Sequence, residues 1–329
     1  LWFSINRRGN NTTTTTPTQT THEARSRVEI CDIRFECSYL GDIIAGSAIT
    51  VKYASGNVTG STEDTDGPVI TRGNVGSNVY GTQKSGWTNG ISLLNVWKAT
   101  VSDCSGFGAA GGSGTPGTVP VAGAGSGSFI RISNGQNINI SDIVASFFQY
   151  GIKFEYLLGA AGVQGVIANN ISFTAVRVGV RFDPTPEPDP ATLFVIANTF
   201  SNFLIDQGND PNAGLANYAF DIDTTGNSPD CGSFIISNGF VTMVGGTGAL
   251  IRFRGPNKHS VVSAVICYTA PYFADLGSGT YKALFTGCQT GGSPITMASG
   301  STYNQFNNIG TSSFTNGGSA TNTSLTTLF

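Results

Sequence analysis

The chain has 329 residues, of which only 11% are charged, and its formal net charge at pH 7 is −3. Globular domains usually contain about 25% charged residues, and no cluster of Lys and Arg gives the electrostatic footprint of a nucleic-acid-binding protein. No apolar run reaches membrane-spanning length, so membrane insertion is not expected, and the 44 glycines with abundant Thr, Ser and Asn favour strands and turns over helices.

The N-terminal residues 1–27 are predicted to be a lead-in segment that contains a Thr-rich loop from Asn10 to Thr21. No initiator Met or signal peptide opens the sequence at Leu1. We therefore expect that an N-terminal part of the native protein precedes this chain.

A strand-like phrase begins at Ala48 and recurs to Pro294, and four of its nine intervals are 22 residues long. Its second and fourth residues are nearly always apolar and are expected to face inward, while the third and fifth face outward. A recurrent spacing with irregular excess is typical of a coiled ribbon in which each turn can carry a loop. The expected interior stack comprises Ile91, Ile130, Ile152, Val180, Phe220, Ile251 and Phe273.

A second phrase places Asp or Asn after an apolar and a small residue. Its Asx residues are Asp32, Asp103, Asp142, Asn169, Asn198 and Asn238. An Asx side chain at a tight corner bonds nearby backbone and tolerates the left-handed region. These residues are therefore predicted to form a structural ladder rather than a chemical site.

The six cysteines show no CxxC spacing, and the expectation is free, buried thiols that act as small hydrophobes. A zinc site is disfavoured because the two histidines, His22 and His259, lie beside no Cys pair. No cofactor and no resident metal are expected.

Turns of about 22 residues, inward Ile, Val and Phe, and the Asn ladder resemble the right-handed parallel β-helix of pectate-lyase-like proteins. Within that group the low charge and the surface rich in Thr, Asn and Gly are similar to the shaft of a bacteriophage tailspike. The resemblance covers residues 28–310 and leaves residues 311–329 as a C-terminal tail. It implies an all-β, right-handed parallel β-helix of about ten turns, one for each copy of the phrase.

The same resemblance implies a homotrimeric spike on the phage virion that acts extracellularly. Such a spike joins the phage tail or baseplate through the missing N-terminal region, and it binds and often cleaves a surface polysaccharide of the host bacterium.

Charge is concentrated in the outward positions from Phe129 to Arg254, where nine of ten residues are charged. We call these nine residues the charged strip: Arg131, Lys153, Glu155, Arg181, Asp183, Asp221, Asp223, Arg252 and Arg254. Equivalent residues on neighbouring turns lie about 4.8 Å apart, so the third positions are expected to form one column and the fifth positions another. Earlier members expected in the two columns are Thr50, Ile70, Ser92, Lys52, Leu94 and Ser133.

The acids of the charged strip predict glycoside hydrolysis. Glu155, Asp183 and Asp223 fall in one column, and like charges this close raise the pKa of at least one member, which suits a general acid. Hydrolysis needs two carboxyl groups, about 5 Å apart for retention and 6.5–9.5 Å for inversion. The predicted catalytic residues are Glu155, Asp183, Asp221 and Asp223.

The predicted substrate-binding residues are Arg131, Lys153, Tyr156, Arg181, Tyr218, Arg252 and Arg254. The cations could hold an acidic sugar, stabilise negative charge or supply the base of a lyase, and the two tyrosines offer faces for sugar rings. Alternatively, the strip is a salt-bridge lattice without function, or its carboxylates hold Ca²⁺.

The leading hypothesis is a tailspike with polysaccharide depolymerase activity, acting as a glycoside hydrolase. The alternatives are a non-enzymatic glycan-binding fibre or adhesin, and a polysaccharide lyase acting on uronic acids.

Overall fold

The described part of the chain consists of strands and their connections. The computed structural model describes residues 29–37, 43–52, 67–80, 83–108, 127–155, 162–183, 194–209, 216–226, 232–244, 247–268, 270–291, 293–299, 301–309, 314–316 and 319–325. Over these residues it has 27 strands and no helix, so none of them belongs to a helix that could cross a membrane.

The strands in chain order are β1 (Glu29–Cys31), β2 (Arg34–Cys37), β3 (Ile43–Lys52), β4 (Val69–Thr71), β5 (Asn74–Tyr80), β6 (Gln83–Trp97), β7 (Thr100–Ser102), β8 (Ser105–Phe107), β9 (Ser128–Gln136), β10 (Asn139–Ser146), β11 (Tyr150–Glu155), β12 (Gly162–Gln164), β13 (Ile167–Thr174), β14 (Val178–Phe182), β15 (Phe194–Asn209), β16 (Ala216–Asp223), β17 (Gly232–Val244), β18 (Thr247–Arg254), β19 (Asn257–Lys258), β20 (Val261–Cys267), β21 (Tyr272–Leu276), β22 (Thr280–Tyr281), β23 (Leu284–Thr286), β24 (Ile295–Met297), β25 (Thr302–Ile309), β26 (Phe314–Asn316) and β27 (Ser319–Leu325).

The strands pair in parallel with strands farther along the chain. One ladder runs β3, β6, β9, β11, β14, β16, β18, β21 and β24. A second runs β10, β13, β15, β17, β20, β23 and β25. An antiparallel pairing between β5 and β6 forms a local excursion. The fold is thus all-β with parallel strands, an arrangement compatible with a parallel β-helix.

The first ladder contains the expected interior stack, with one correction. Ile91, Ile130, Ile152, Val180, Phe220 and Ile251 follow one another in register, and all are fully buried. The next partner is Ala274, not the predicted Phe273. The predicted register would have turned Asp275 inward, and burying an unpaired carboxylate is costly. In the structure Asp275 instead lies beside Arg252 on the outer face.

Phenylalanine rings fill the interior behind the charged strip. Phe154 stacks on Phe182 with ring centroids 4.2 Å apart, and Phe182 meets Phe234 edge-on at 5.1 Å. All three side chains are fully buried. Burying one such side chain contributes about 1.5–3 kcal/mol relative to exposing it, so the ring stack fixes the strands that position the strip.

One corner of the coil is a column of single left-handed residues. Its members are Asp32, Arg72, Asp103, Asp142, Asn170, Asn202, Asn238, Ala264 and Gly287, with φ between 51° and 61°. Asp or Asn fills most of these positions because its side chain tolerates this conformation.

The Asx prediction therefore names the wrong corner residue on two strands, β13 and β15. On β13 the corner residue is Asn170 and not Asn169. The Oδ1 atom of Asn169 instead accepts a hydrogen bond from Asn202 Nδ2 at 2.7 Å. On β15 the corner residue is Asn202 and not Asn198. Asn198 is fully buried, and its Oδ1 atom accepts a hydrogen bond from the Val166 backbone N–H at 3.1 Å.

The cysteine expectation holds for three of the residues that the structure describes. Cys104, Cys267 and Cys288 are free and buried, whereas Cys31 is free but exposed. The side chain of Cys37 and all of Cys231 lie outside the described residues.

The predicted lead-in segment, residues 1–27, also lies outside the described residues. Within the predicted tail, β26 and β27 pair in parallel with β24 and β25. The domain boundaries at residues 27 and 310 stay predictions.

Candidate functional site: the charged strip

The charged strip lies on the outer face of the first ladder, from β9 to β18. Alternation along each strand turns the residues flanking Ile132, Phe154, Phe182, Ile222 and Phe253 outward, because those five are buried. The third-position column runs Ser92, Arg131, Lys153, Arg181, Asp221 and Arg252, and Asp275 and Thr296 continue it. Ile70 is not part of it, because Ile70 is buried on β4 and pairs with Ile30 and Val101.

The second column contains the predicted acids. Glu155 pairs in register with Ser133, and Asp223 pairs with Arg254. Asp183 follows β14 directly and donates its backbone N–H to the carbonyl of Phe154 at 3.0 Å. The expected neighbourhood of Glu155, Asp183 and Asp223 on three consecutive turns therefore agrees with the strand register.

Cations of the first column neutralise the acids of the second. Glu155 Oε2 contacts Arg131 Nη2 at 2.6 Å, and Glu155 Oε1 contacts Lys153 Nζ at 2.7 Å. Asp183 contacts Lys153 at 2.9 Å and Arg181 at 2.7 Å. The result is a zigzag of alternating charge in which each cation lies between two carboxylates or ends the row.

Asp221 is the most deeply buried acid of this zigzag. Its side chain is 3% exposed, and Arg252 holds both of its oxygens at 2.6 Å while Arg181 donates from the other side. The carboxylate is therefore fixed in place, whereas those of Glu155 and Asp183 are 20% and 28% exposed.

The electrostatics of Glu155 differ from the expectation for stacked acids. Burial acts to raise the pKa of Glu155, but hydrogen bonds from Lys153 and Arg131 outweigh it and hold the pKa below its ordinary value. Burial likewise acts to lower the pKa of Lys153, and its hydrogen bonds to Glu155 and Asp183 raise it overall. Both groups are ionised at neutral pH, so Glu155 is suited to act as a base or nucleophile rather than as a proton donor.

Lys153 brings two carboxylates together. Glu155 Oε1 and Asp183 Oδ2 contact the same Nζ atom at 2.7 and 2.9 Å, so these oxygens cannot be farther apart than the sum, 5.6 Å. This upper limit is compatible with the spacing of retaining glycosidases, about 5 Å.

Three tyrosines beside the strip, Tyr150, Tyr218 and Tyr272, lie in one column. Val178 separates the first two and Ala249 the last two. The Arg252 guanidinium lies 4.1 Å from the centroid of the Tyr218 ring and donates to its hydroxyl at 2.9 Å, and Tyr218 is only 8% exposed. Tyr218 thus holds the Arg252 guanidinium in position. Tyr150 is half-buried and Tyr272 is 41% exposed, so these two rings are more accessible than that of Tyr218.

The remaining predicted residues divide by exposure. Asp223 is 7% exposed and accepts a hydrogen bond from the backbone N–H of Thr225 at 3.1 Å, while Arg254 is exposed. Tyr156 lies outside the described residues. The strand phrase beginning at Tyr272 places Asp275 at an inward position, so the sequence does not predict that Asp275 lies beside Arg252 on the outer face. Among the residues that the structure describes, no group of three or more His, Cys, Asp or Glu is arranged to hold a metal ion.

No protein-family model matches the chain, and no curated protein matches it. Among solved structures, the chain is similar to the crystal structure of DFA-IIIase from Arthrobacter chlorophenolicus A6 without its lid in complex with GF2. The two are 9% identical, the match covers 92% of this chain and 79% of that chain, and the TM-score is 0.40. At these values the likeness decides neither fold nor chemistry, and both rest on the residues of this chain.

Proposed function

We propose that the protein is a tailspike that binds a bacterial surface polysaccharide along the charged strip and cleaves it by glycoside hydrolysis. It acts extracellularly, as part of a phage virion. The observation that supports this most directly is the pair of partly exposed carboxylates, Glu155 and Asp183, held within 5.6 Å by one ammonium group. Two carboxyl groups held this close are compatible with retaining hydrolysis, which uses a pair about 5 Å apart.

The roles within the pair follow from their surroundings. Glu155 is the nucleophile, because its pKa is lowered by hydrogen bonds from Lys153 and Arg131. Asp183 is the more exposed carboxyl group and is the acid that protonates the leaving oxygen and then activates water. Asp221 and Asp223 complete the site from buried positions, and the strip cations line the substrate path, with Tyr218 packed against Arg252. Tyr156 is proposed as a further sugar-binding residue.

A second candidate, a fibre that only binds the glycan, is favoured by a specific observation. Glu155, Asp183 and Asp221 are all ion-paired, and the pKa of Glu155 is lowered rather than raised. A lattice of this kind can offer hydrogen bonds to a sugar chain without any proton transfer. The two candidates therefore differ in whether the strip cleaves the bound glycan or only holds it.

We further propose a right-handed coil of about ten turns that associates as a homotrimer and joins the phage tail or baseplate through an N-terminal region. Parallel strands joined by crossovers are right-handed in about 98% of cases. The second ladder supports the trimer, because four large apolar side chains that follow the left-handed corner lie in one column and are exposed: Val144, Leu204, Phe240 and Ile266, with Ser172 between the first two. Contiguous exposed apolar surface commonly marks a protein interface.

Digestion of a panel of purified capsules and O-antigens tests the function. The expected result is release of reducing ends from at least one polysaccharide, with cleavage slowed about 10²–10⁴-fold in Glu155→Gln and Asp183→Asn. The matched control is Asp103→Asn, which removes the same charge at an exposed corner where Asn also accepts the φ of 51°.

Three results would contradict the proposal in different ways. Binding without new reducing ends supports the fibre, and absorbance from an unsaturated uronide supports a lyase. Full activity in both strip variants places any active site elsewhere.

A further inference from the structure

The charged strip is neutral as a unit once Asp275 is included. Its cations are Arg131, Lys153, Arg181, Arg252 and Arg254, and its carboxylates are Glu155, Asp183, Asp221, Asp223 and Asp275. Five positive charges therefore face five negative charges over six neighbouring strands. Such a surface presents no net field to attract a polyanion from solution.

The cations are also engaged individually. Arg131, Lys153, Arg181 and Arg252 each have a carboxylate oxygen within 2.9 Å. An acidic sugar could bind such a cation only by displacing that carboxylate. The displaced group would then lie partly buried beside a second negative charge, which is unfavourable.

Arg254 is the exposed cation of the strip. Water and salt screen a charge at such a position, so it gives little affinity for an anion by itself. Arg254 also lies in register with Asp223 on the neighbouring strand. Arg254 therefore does not make the strip attractive to an acidic polymer.

Neutral sugars meet a different surface. An ionised carboxylate has about four acceptor sites and a guanidinium has five N–H donors, so groups that are already paired keep hydrogen-bonding capacity. Sugar hydroxyls both donate and accept, and they can use this capacity while every ion pair stays intact. Charged partners also make stronger hydrogen bonds than neutral ones.

We propose that the strip selects an uncharged polysaccharide, built of neutral hexoses, deoxyhexoses or N-acetylated amino sugars, and discriminates against polymers of uronic or other acidic sugars. This inference rests on the proposed function of the strip. It also removes one role considered for the cations, the capture of an acidic sugar. Instead, the cations of the strip hold the carboxylates in position.

The test compares one backbone in two charge states. An acidic capsular polysaccharide and its carboxyl-reduced form are titrated against the full chain beside a neutral O-antigen panel, in 50 and 500 mM NaCl. We expect binding to neutral polymers, no tighter binding to the acidic form than to its reduced form, and Kd values that change less than about threefold with salt.

Binding of the acidic form about tenfold tighter than the reduced form, lost at high salt, would overturn the inference and leave the proposed function standing. Binding of no polysaccharide of either class would refute the proposed function and the inference together.

A charge-releasing variant provides a second measurement. Asp183→Asn gives the strip a net positive charge and frees one contact each on Lys153 and Arg181. We expect it to gain at least about threefold in affinity for the acidic polymer at low salt, whereas Asp103→Asn gains nothing. An Asp183→Asn protein that binds the acidic polymer no better than the native protein does would contradict the role assigned to the paired carboxylates.

Discussion

Neutralising Asp221 should destabilise the fold more than neutralising any exposed acid. Its side chain is 3% exposed, and two arginines that are themselves only 17% and 12% exposed bind it. In Asp221→Asn both guanidinium groups lose a charged partner in a poorly solvated site. Breaking a buried pair by removing one partner costs about 3–5 kcal/mol.

The expected loss lies at the lower end of that range, about 3 kcal/mol, because each arginine keeps another partner. Arg181 retains Asp183 at 2.7 Å, and Arg252 retains the Tyr218 hydroxyl at 2.9 Å. The free energy of unfolding, measured by urea denaturation followed by circular dichroism, gives the value directly. Asp32→Asn is the matched control, because Asp32 is also ion-paired with an arginine but is 65% exposed.

We expect no resolvable change in stability for Asp32→Asn. If Asp221→Asn loses no more stability than this control, the ion pairs of the strip do not stabilise the fold, and the account of Asp221 as a fixed, buried anchor is wrong.

Three further predictions concern the core, the pH response and the thiols. Phe182→Ala removes a fully buried ring between Phe154 and Phe234 and should cost about 3–5 kcal/mol in urea denaturation, whereas Val144→Ala, at a side chain 55% exposed, should cost far less. Because the folded-state pKa of Glu155 is lowered, the stability advantage of the native protein over Glu155→Gln should be complete above the ordinary Glu pKa and disappear as pH falls through the lowered value; an advantage that persists unchanged to pH 3 would contradict this. Burial raises the pKa of Cys267 to about 12, so maleimide labelling read by peptide mass spectrometry should modify Cys31 in the native protein and Cys267 only after unfolding; rapid native labelling of Cys267 would refute its burial.

The repeating strand phrase was sufficient to predict the interior stack from Ile91 to Ile251, because alternation leaves little choice where both inward residues are large and apolar. It failed at β21, where Tyr272, Phe273 and Ala274 are all apolar and the phrase has no unique phase. The register of β21 follows from Asp275, whose charge keeps it on the outer face beside Arg252. A pattern of apolar residues alone does not contain this information. The Asn corners failed for a similar reason, since Asn169 and Asn170 are adjacent and only backbone conformation separates them.

The position of the strip could also be predicted, but not its internal pairing. Neighbours along a column, such as Glu155 and Asp183, repel each other, and this repulsion predicts a raised pKa. Residues two apart along a strand also share one face and can be ion-paired there. Lys153 binds Glu155 and Arg181 binds Asp183 in this way. Arg131 pairs with Glu155, and Arg252 pairs with Asp221, from neighbouring strands. Hydrogen bonds from Lys153 and from Arg131 together lower the pKa of Glu155.

The left-handed corner has a consequence for how this protein could diversify. Successive corner residues lie between 23 positions apart, from Ala264 to Gly287, and 40 positions apart, from Asp32 to Arg72. Each corner nevertheless consists of a single left-handed residue. All length variation is therefore absorbed at the other corners. A loop there can be lengthened, shortened or exchanged between relatives without changing which residue follows the corner. The outward alternation of every later strand, and with it the alignment of Lys153, Arg181 and Asp221, would survive such an exchange.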